Sequence, residues 1–134
     1  MAHYAVLDGN NKVLECFVGI DETENAPDGF EDWEAWYSDF KGKTVKRYSY
    51  NTYGNVHSEG GAPFRGNSAG IGSVYLPEED IFVPKKPKDS WVLSDNYIWE
   101  PPIPYPDSED SYYWDEEAYQ ADNTKGWTLY EGAE

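Results

Sequence analysis

Two runs of β-type residues open the chain. HYAVLD and KVLECFVGI are rich in Val, Leu, Tyr and Phe, and between them stands GNN, whose residues accept the positive φ of a tight connection. The pattern predicts a β-hairpin. In the second run Val13, Glu15, Phe17 and Gly19 alternate with Leu14, Cys16, Val18 and Ile20, so both faces of that strand are expected to be at least partly covered. Cys16 then reads as a small core hydrophobe. After a loop marked by Pro27 and Gly29 the period changes: Phe30, Trp33, Trp36, Tyr37 and Phe40 recur at three- and four-residue spacing, acidic residues fill the first turn, and Lys41 and Gly42 close the segment. These signals predict one short helix near residues 31–41, with its aromatic stripe docked on the sheet.

KTVKRYSYNTYG returns to β alternation, and residues 54–72 form a glycine-rich stretch read as a long irregular loop. Loops of that length are uncommon in compact domains unless they are functional or ordered by a partner. Gly70–Ile71–Gly72 lacks the third glycine and the strand–helix context of a dinucleotide fingerprint, so it reads as backbone freedom before the strand SVYLP. From Gly72 onward three segments each run from an aromatic strand through an acidic turn to a second aromatic strand. Tyr75 with Phe82, Trp91 with Trp99, and Trp114 with Trp127 mark their arms. VPKKPKD and EPPIPYPDSED separate them as extended, semi-rigid spacers, since proline fixes φ and donates no amide proton.

The expected fold is therefore mainly β. An N-terminal hairpin, helix and strand unit occupies residues 1–53, the glycine-rich loop 54–72, and tandem aromatic hairpins 73–134, all taken as one continuous structural domain. A lone hairpin is marginal in water, so each one needs a neighbour, another copy or a partner to lean on. Trp91, Trp99, Trp114 and Trp127 are expected to act as hairpin staples.

Composition changes this picture in one respect. Ten basic against twenty-six acidic residues give a formal charge of −16, which repels nucleic acid phosphates and anionic lipid. Acidity then speaks to solubility, a basic partner or mimicry of DNA. Lys41, Lys43, Lys46 and Arg47 cluster in this acidic chain as internal counter-charges. The single cysteine allows no intrachain disulfide, and no apolar run reaches the length of a membrane span. The opening residues lack a secretory pattern, so synthesis in a cytoplasm is expected.

Candidate chemistry is sparse. His3 and His57 are the only histidines, no Ser-His-Asp or H-x-x-x-H spacing occurs, and the many paired carboxylates select nothing in so acidic a chain. DSEDSYYWDEE lacks the glycine of an EF-hand calcium loop and does not place its glutamate where that loop ends. No catalytic residue, cofactor or metal site is expected. The glycine-rich loop supplies the candidate partner contact: Phe64 as an anchor, Arg65 as a bidentate partner for a carboxylate, and Asn67 as a cap for backbone groups.

The chain resembles a family of small proteins of tailed phages of marine bacteria, especially cyanophages. The resemblance rests on the opening MAHYAVLDGNNKVL, on Ser49–Tyr50–Asn51–Thr52, Val56–His57, Phe64–Arg65 with Asn67, Ala69–Gly70–Ile71–Gly72, IFVPKKP, SWVL and the terminal WDE…W hairpin. It departs at Gly66 and Ser68, where the family pattern favours a basic residue and an aromatic, and in the middle helix, here the tryptophan-rich DWEAWYSDFKG. The resemblance implies a virion structural or accessory protein on the capsid, neck, tail or fibres, located in the particle and partnered by other virion proteins or by copies of itself. It carries no catalytic residues. Two alternatives stand beside it: a carbohydrate-binding adhesion module, with a glycan on the exposed tryptophans, and an acidic DNA mimic that inhibits a host protein.

Overall fold

The computed structural model describes residues 2–131. It is mainly β, with an N-terminal three-stranded sheet and several small two-stranded ones. The described residues fall into two compact units, 2–85 with 95–98 and 86–94 with 99–131. The division thus falls after Lys85 and not around the glycine-rich loop, because that loop is bonded into the first unit.

The first unit is built on strand β1 (Ala2–Leu7), flanked by β2 (Val13–Gly19) and β3 (Val45–Tyr48) in antiparallel order β2-β1-β3. Register pairs Tyr4 with Phe17 and Arg47, and an irregularity between Val6 and Leu7 shifts the β1–β2 ladder as it enters the turn. Being central, β1 is covered on both faces, and its two-residue alternation sorts the core. Ala2, Tyr4 and Val6 join Val45 beneath Trp33 and Tyr37. Ala5 and Leu7 join Val13, Tyr48, Tyr75 and Phe82 on the other side, with Cys16 packed against them. Burial pushes the Cys16 thiol up in pKa, so it is held as a protonated hydrophobe and not as a thiolate nucleophile.

The expected helix is α1 (Trp33–Lys41). Asp32 caps its start by accepting from the Ala35 amide at 2.8 Å, and Gly42, at φ 68°, closes its end by donating to Ser38 O, a conformation glycine adopts without Cβ strain. Its aromatic stripe divides: Trp33 and Tyr37 pack on the sheet, whereas Phe40 stacks on Trp36 and is 68% exposed.

The stretch 54–72, expected as irregular loop, opens with the turn and second strand of a small hairpin, β4 (Thr52–Tyr53) and β5 (Val56–His57), turned by Gly54 and Asn55 at positive φ. It ends by docking on the first hairpin, where Ser73 O accepts from Val13 N and Gly72 N donates to Val13 O. Hairpin β6 (Val74–Leu76) and β7 (Ile81–Val83) follows, with Tyr75 opposite Phe82 as expected.

In the second unit β8 (Val92–Leu93) pairs with β9 (Trp99–Glu100). Their register sets Leu93, not Trp91, opposite Trp99, so the expected Trp91–Trp99 staple does not form as a cross-strand pair. The turn between them, 95–98, belongs to the first unit. The last hairpin, β10 (Tyr112–Trp114) and β11 (Trp127–Leu129), does pair Trp114 with Trp127. Its long turn contains a second helix, not expected from the sequence, α2 (Glu116–Ala121), capped by Asp115. Asp-x-x-Ala at its start satisfies an N-cap, but six residues are too few for a period to declare itself.

Candidate functional site

Phe64, Arg65 and Asn67 lie together, and their polar groups turn into their own unit. Asn67 is 1% exposed. Its amide nitrogen donates to Phe82 O and Tyr97 O, both at 2.9 Å, and its amide oxygen accepts from Gly54 N at 2.8 Å. One side chain thereby satisfies three backbone groups from separated segments, which is how a glycine-rich stretch avoids orphaned polar atoms without a strand ladder. Neighbouring amides follow suit: Phe64 N donates to the Thr52 hydroxyl at 3.1 Å and Ser68 N to Thr52 O at 2.7 Å.

Arg65 adopts a left-handed backbone at φ 51°, and its carbonyl accepts from Phe82 N and Asn67 N, each at 2.8 Å. Its guanidinium donates through Nη1 to Glu34 Oε2 and to Arg47 O. Nε stands 2.9 Å from Asp80 Oδ1 as an ion pair, off the line of a hydrogen bond. Glu34 also accepts from Arg47 N, and the Tyr75 hydroxyl donates to Asp80. Burial alone would lower the Arg65 pKa, but the Glu34 hydrogen bond and charge, with Asp80, raise it above its ordinary value. Burial, then the Asp80 bond, pushes Tyr75 up to about 12. Phe64 carries the Arg47 guanidinium 4.0 Å and the Arg65 guanidinium 4.8 Å from its ring centre, within cation–π range. The cluster joins α1, β3 and the β6–β7 turn by charge. Beside it Tyr4, Glu22, Trp33, Glu34, Arg47 and Phe64 line a cleft of about 390 Å³ whose walls carry both signs of charge.

Three of the four members of the basic cluster, Lys41, Lys46 and Arg47, are spent internally, while Lys43 is exposed. Lys41 pairs with Glu15 at 3.1 Å, Arg47 with Glu22 at 3.5 Å, and Lys46 lies over the Tyr75 ring.

The second unit is organised around Trp114. Trp91 and Trp127 stand nearly perpendicular to it, with ring centres 6.4 and 5.2 Å away, and Tyr119 packs on it at 5.4 Å. Gly126 is required there, since a Cβ at that position would lie 2.5 Å from the Trp114 ring. Glu116 ties the group together: it accepts from the Trp114 indole at 2.9 Å, from the Ser90 hydroxyl at 2.6 Å and from Gln120 at 2.8 Å. The Ser90 hydroxyl first, then the Trp114 indole, hold the Glu116 carboxyl down at about 2. Trp127 is fixed by its own indole donating to Ile103 O at 2.7 Å, and Tyr105 packs edge-on to it at 4.9 Å.

In front of these rings lies a cleft of about 400 Å³, lined by Trp91, Glu100, Pro101, Pro104, Tyr105 and Trp127. Of the four expected staples, then, Trp91 and Trp127 face this cleft and Trp114 supports them, while Trp99 carries the Lys86 ammonium 5.4 Å over its ring. The indole N–H of Trp91 is shielded from solvent and has no acceptor, a condition that costs about 1–3 kcal/mol. Tyr105 and Glu100 belong to EPPIPYP, whose prolines mask them as part of a spacer; the signal in the sequence is an aromatic residue set between prolines.

Among the described residues no group of three or more His, Cys, Asp or Glu is arranged to hold a metal ion, and no helix is long and apolar enough to cross a membrane. No family model matches the chain, and neither the curated proteins nor the solved structures gave a match.

Proposed function

We propose that this protein is a structural accessory component of a tailed-phage particle, attached to capsid, neck or tail, which works by binding and not by catalysis. The observation that carries the proposal is the state of the second unit. Among its described residues only Gly126 is fully buried, so two hairpins and a six-residue helix are held by half-buried aromatic rings with no closed apolar core. Short two-stranded sheets of this kind gain stability from a surface laid against them, and a particle supplies one. The resemblance to small phage proteins, which runs along nearly the whole chain, agrees with that reading.

Mass spectrometry of purified particles tests it. The chain is expected at a fixed copy number per particle, retained through density-gradient purification and high-salt washing. Its presence only in lysate, and not in washed particles, overturns the proposal.

A further inference from the structure

We propose that the cleft of Trp91, Tyr105 and Trp127 is a cation cage that receives an arginine side chain from a basic segment of a partner protein. The inference rests on reading the second unit as an attachment piece, and it names the chemistry of the attachment.

The cleft is lined by aromatic rings and one charge. Its walls are Trp91, Tyr105, Trp127 and two prolines, and the only ionisable carboxylate on its lining is Glu100. Aromatic faces attract cations through their quadrupole, with Trp the strongest. A carboxylate beside them selects a positive ligand, and a planar guanidinium both stacks on rings and matches a carboxylate with two donors. The long-range field agrees: residues 86–94 and 99–134 hold three basic against eleven acidic side chains, a net −8. Such a field draws basic segments in and turns phosphates away.

The rest of the molecule shows what these rings lack. Five of the ten basic residues lie over aromatic rings: Lys41 on Phe17, Lys46 on Tyr75, Arg47 on Phe64, Arg65 on Phe64 and Tyr75, and Lys86 on Trp99. The Arg65 cluster even repeats the proposed arrangement internally, with guanidinium on ring and carboxylate at its edge. Among the described residues no side-chain cation stands over Trp91, Tyr105 or Trp127. None of the cations placed over rings among the described residues fills this cleft, and the occupant proposed here comes from outside the chain. The rings are also held ready: Trp127 is pinned to Ile103 O, the Tyr105 hydroxyl accepts from Tyr112 N at 3.0 Å, and the Ser90 backbone next to Trp91 is held by Glu116. Preorganisation of this sort lowers the cost of binding. A volume of about 400 Å³ is room for a whole side chain with some of its backbone.

The test is a titration of the full chain, at constant chloride and ionic strength, with N-acetyl-arginine amide, N-acetyl-citrulline amide and maltoheptaose in parallel, read at the tryptophan indole N–H signals by NMR. Citrulline has the shape of arginine without its charge. The expected result is saturable movement of the Trp91 and Trp127 signals with the arginine probe, at a Kd on the order of millimolar for so small a ligand, and none with citrulline. E100Q, which removes the charge from an exposed strand end, should weaken binding several-fold, and Y105L, which removes a ring without changing charge, should weaken it as well. Retained dispersion of the indole signals identifies both variants as folded. Equal response to citrulline, movement by maltoheptaose undiminished in E100Q, or no response to any probe overturns the cage. None of these outcomes bears on particle mass spectrometry, so loss of the cage and loss of the accessory role remain separate results.

Discussion

Asn67 shows how one amide replaces a sheet in the first unit. Its three partners, Gly54 N, Phe82 O and Tyr97 O, belong to segments that are distant in sequence. Asn67→Ala leaves all three without a protein partner in a site that is 1% exposed, and each unsatisfied buried group costs about 1–3 kcal/mol. Relaxation and water entry recover part of this, so the expected loss is about 3 kcal/mol, measurable as a lowered urea midpoint with an unchanged m-value. Asn67→Asp should do nearly as badly, because it keeps the acceptor for Gly54 N and removes both donors. A midpoint within experimental error of wild type would show that the amide is dispensable. Phe64, Arg65 and Asn67 were legible in the sequence as a group that mattered, but not which way they face. Outward contact and inward clamping call for the same residue types, and the deciding fact is the arrival of β7 and Tyr97 from further along the chain.

At the scale of elements, local signals were readable and long-range ones were not. The first hairpin and α1 announce themselves through turn residues, period and caps that all lie within a few positions of one another. The β8–β9 register is not legible, because the repeated strand–turn–strand pattern matches Trp91 with Trp99, whereas the ladder places Leu93 there. What Trp91 meets instead is Trp114, from another hairpin. Helix α2 matters beyond its length because it carries Glu116, whose carboxyl holds Trp114 and Ser90. The folded pKa of Glu116 lies near 2, below the ordinary glutamate range. Such a group stabilises the fold above its unfolded pKa, and the contribution disappears as pH falls through the folded value. Acid loosening of the second unit is therefore expected between the ordinary glutamate pKa and about 2. Tryptophan emission should shift to the red across that window, and E116Q should show a smaller step there, having lost most of it at neutral pH. An identical acid step in wild type and E116Q would assign it to other carboxylates.

For the whole molecule the contrast is between a unit with a closed core and one without. Tyr4, Leu7, Val13, Val45, Phe82 and Val83 are fully buried in the first unit, while the second holds its rings half exposed. Local stability tracks burial of this sort. In the isolated protein the amides of β1, together with Asn67 and Ser68, should exchange with solvent slowest, and those of β8 to β11 faster by orders of magnitude. In the particle the second unit should gain protection and the first change little. Uniform protection throughout the free chain would remove the physical argument for a partner surface. The division of the described residues after Lys85 was not legible beforehand because the β6–β7 hairpin looks, in sequence, like the first of three equals, and only its packing of Tyr75 and Phe82 under β1 sets it apart.

The packing of Trp91 and Trp127 edge-on to Trp114 has an optical consequence. Indoles with centres 5.2 and 6.4 Å apart share their excitations, and the resulting couplet falls in the same ultraviolet band as the weak ellipticity of short, twisted strands. Circular dichroism of this protein will therefore report its tryptophans as well as its backbone, and a helix content fitted to that spectrum will be in error. The part of the couplet that is lost when Trp114 is replaced by leucine reads out this ring cluster, the Trp33–Trp36 pair with centres 5.5 Å apart supplying the part that stays, while amide-I infrared absorption measures the strands.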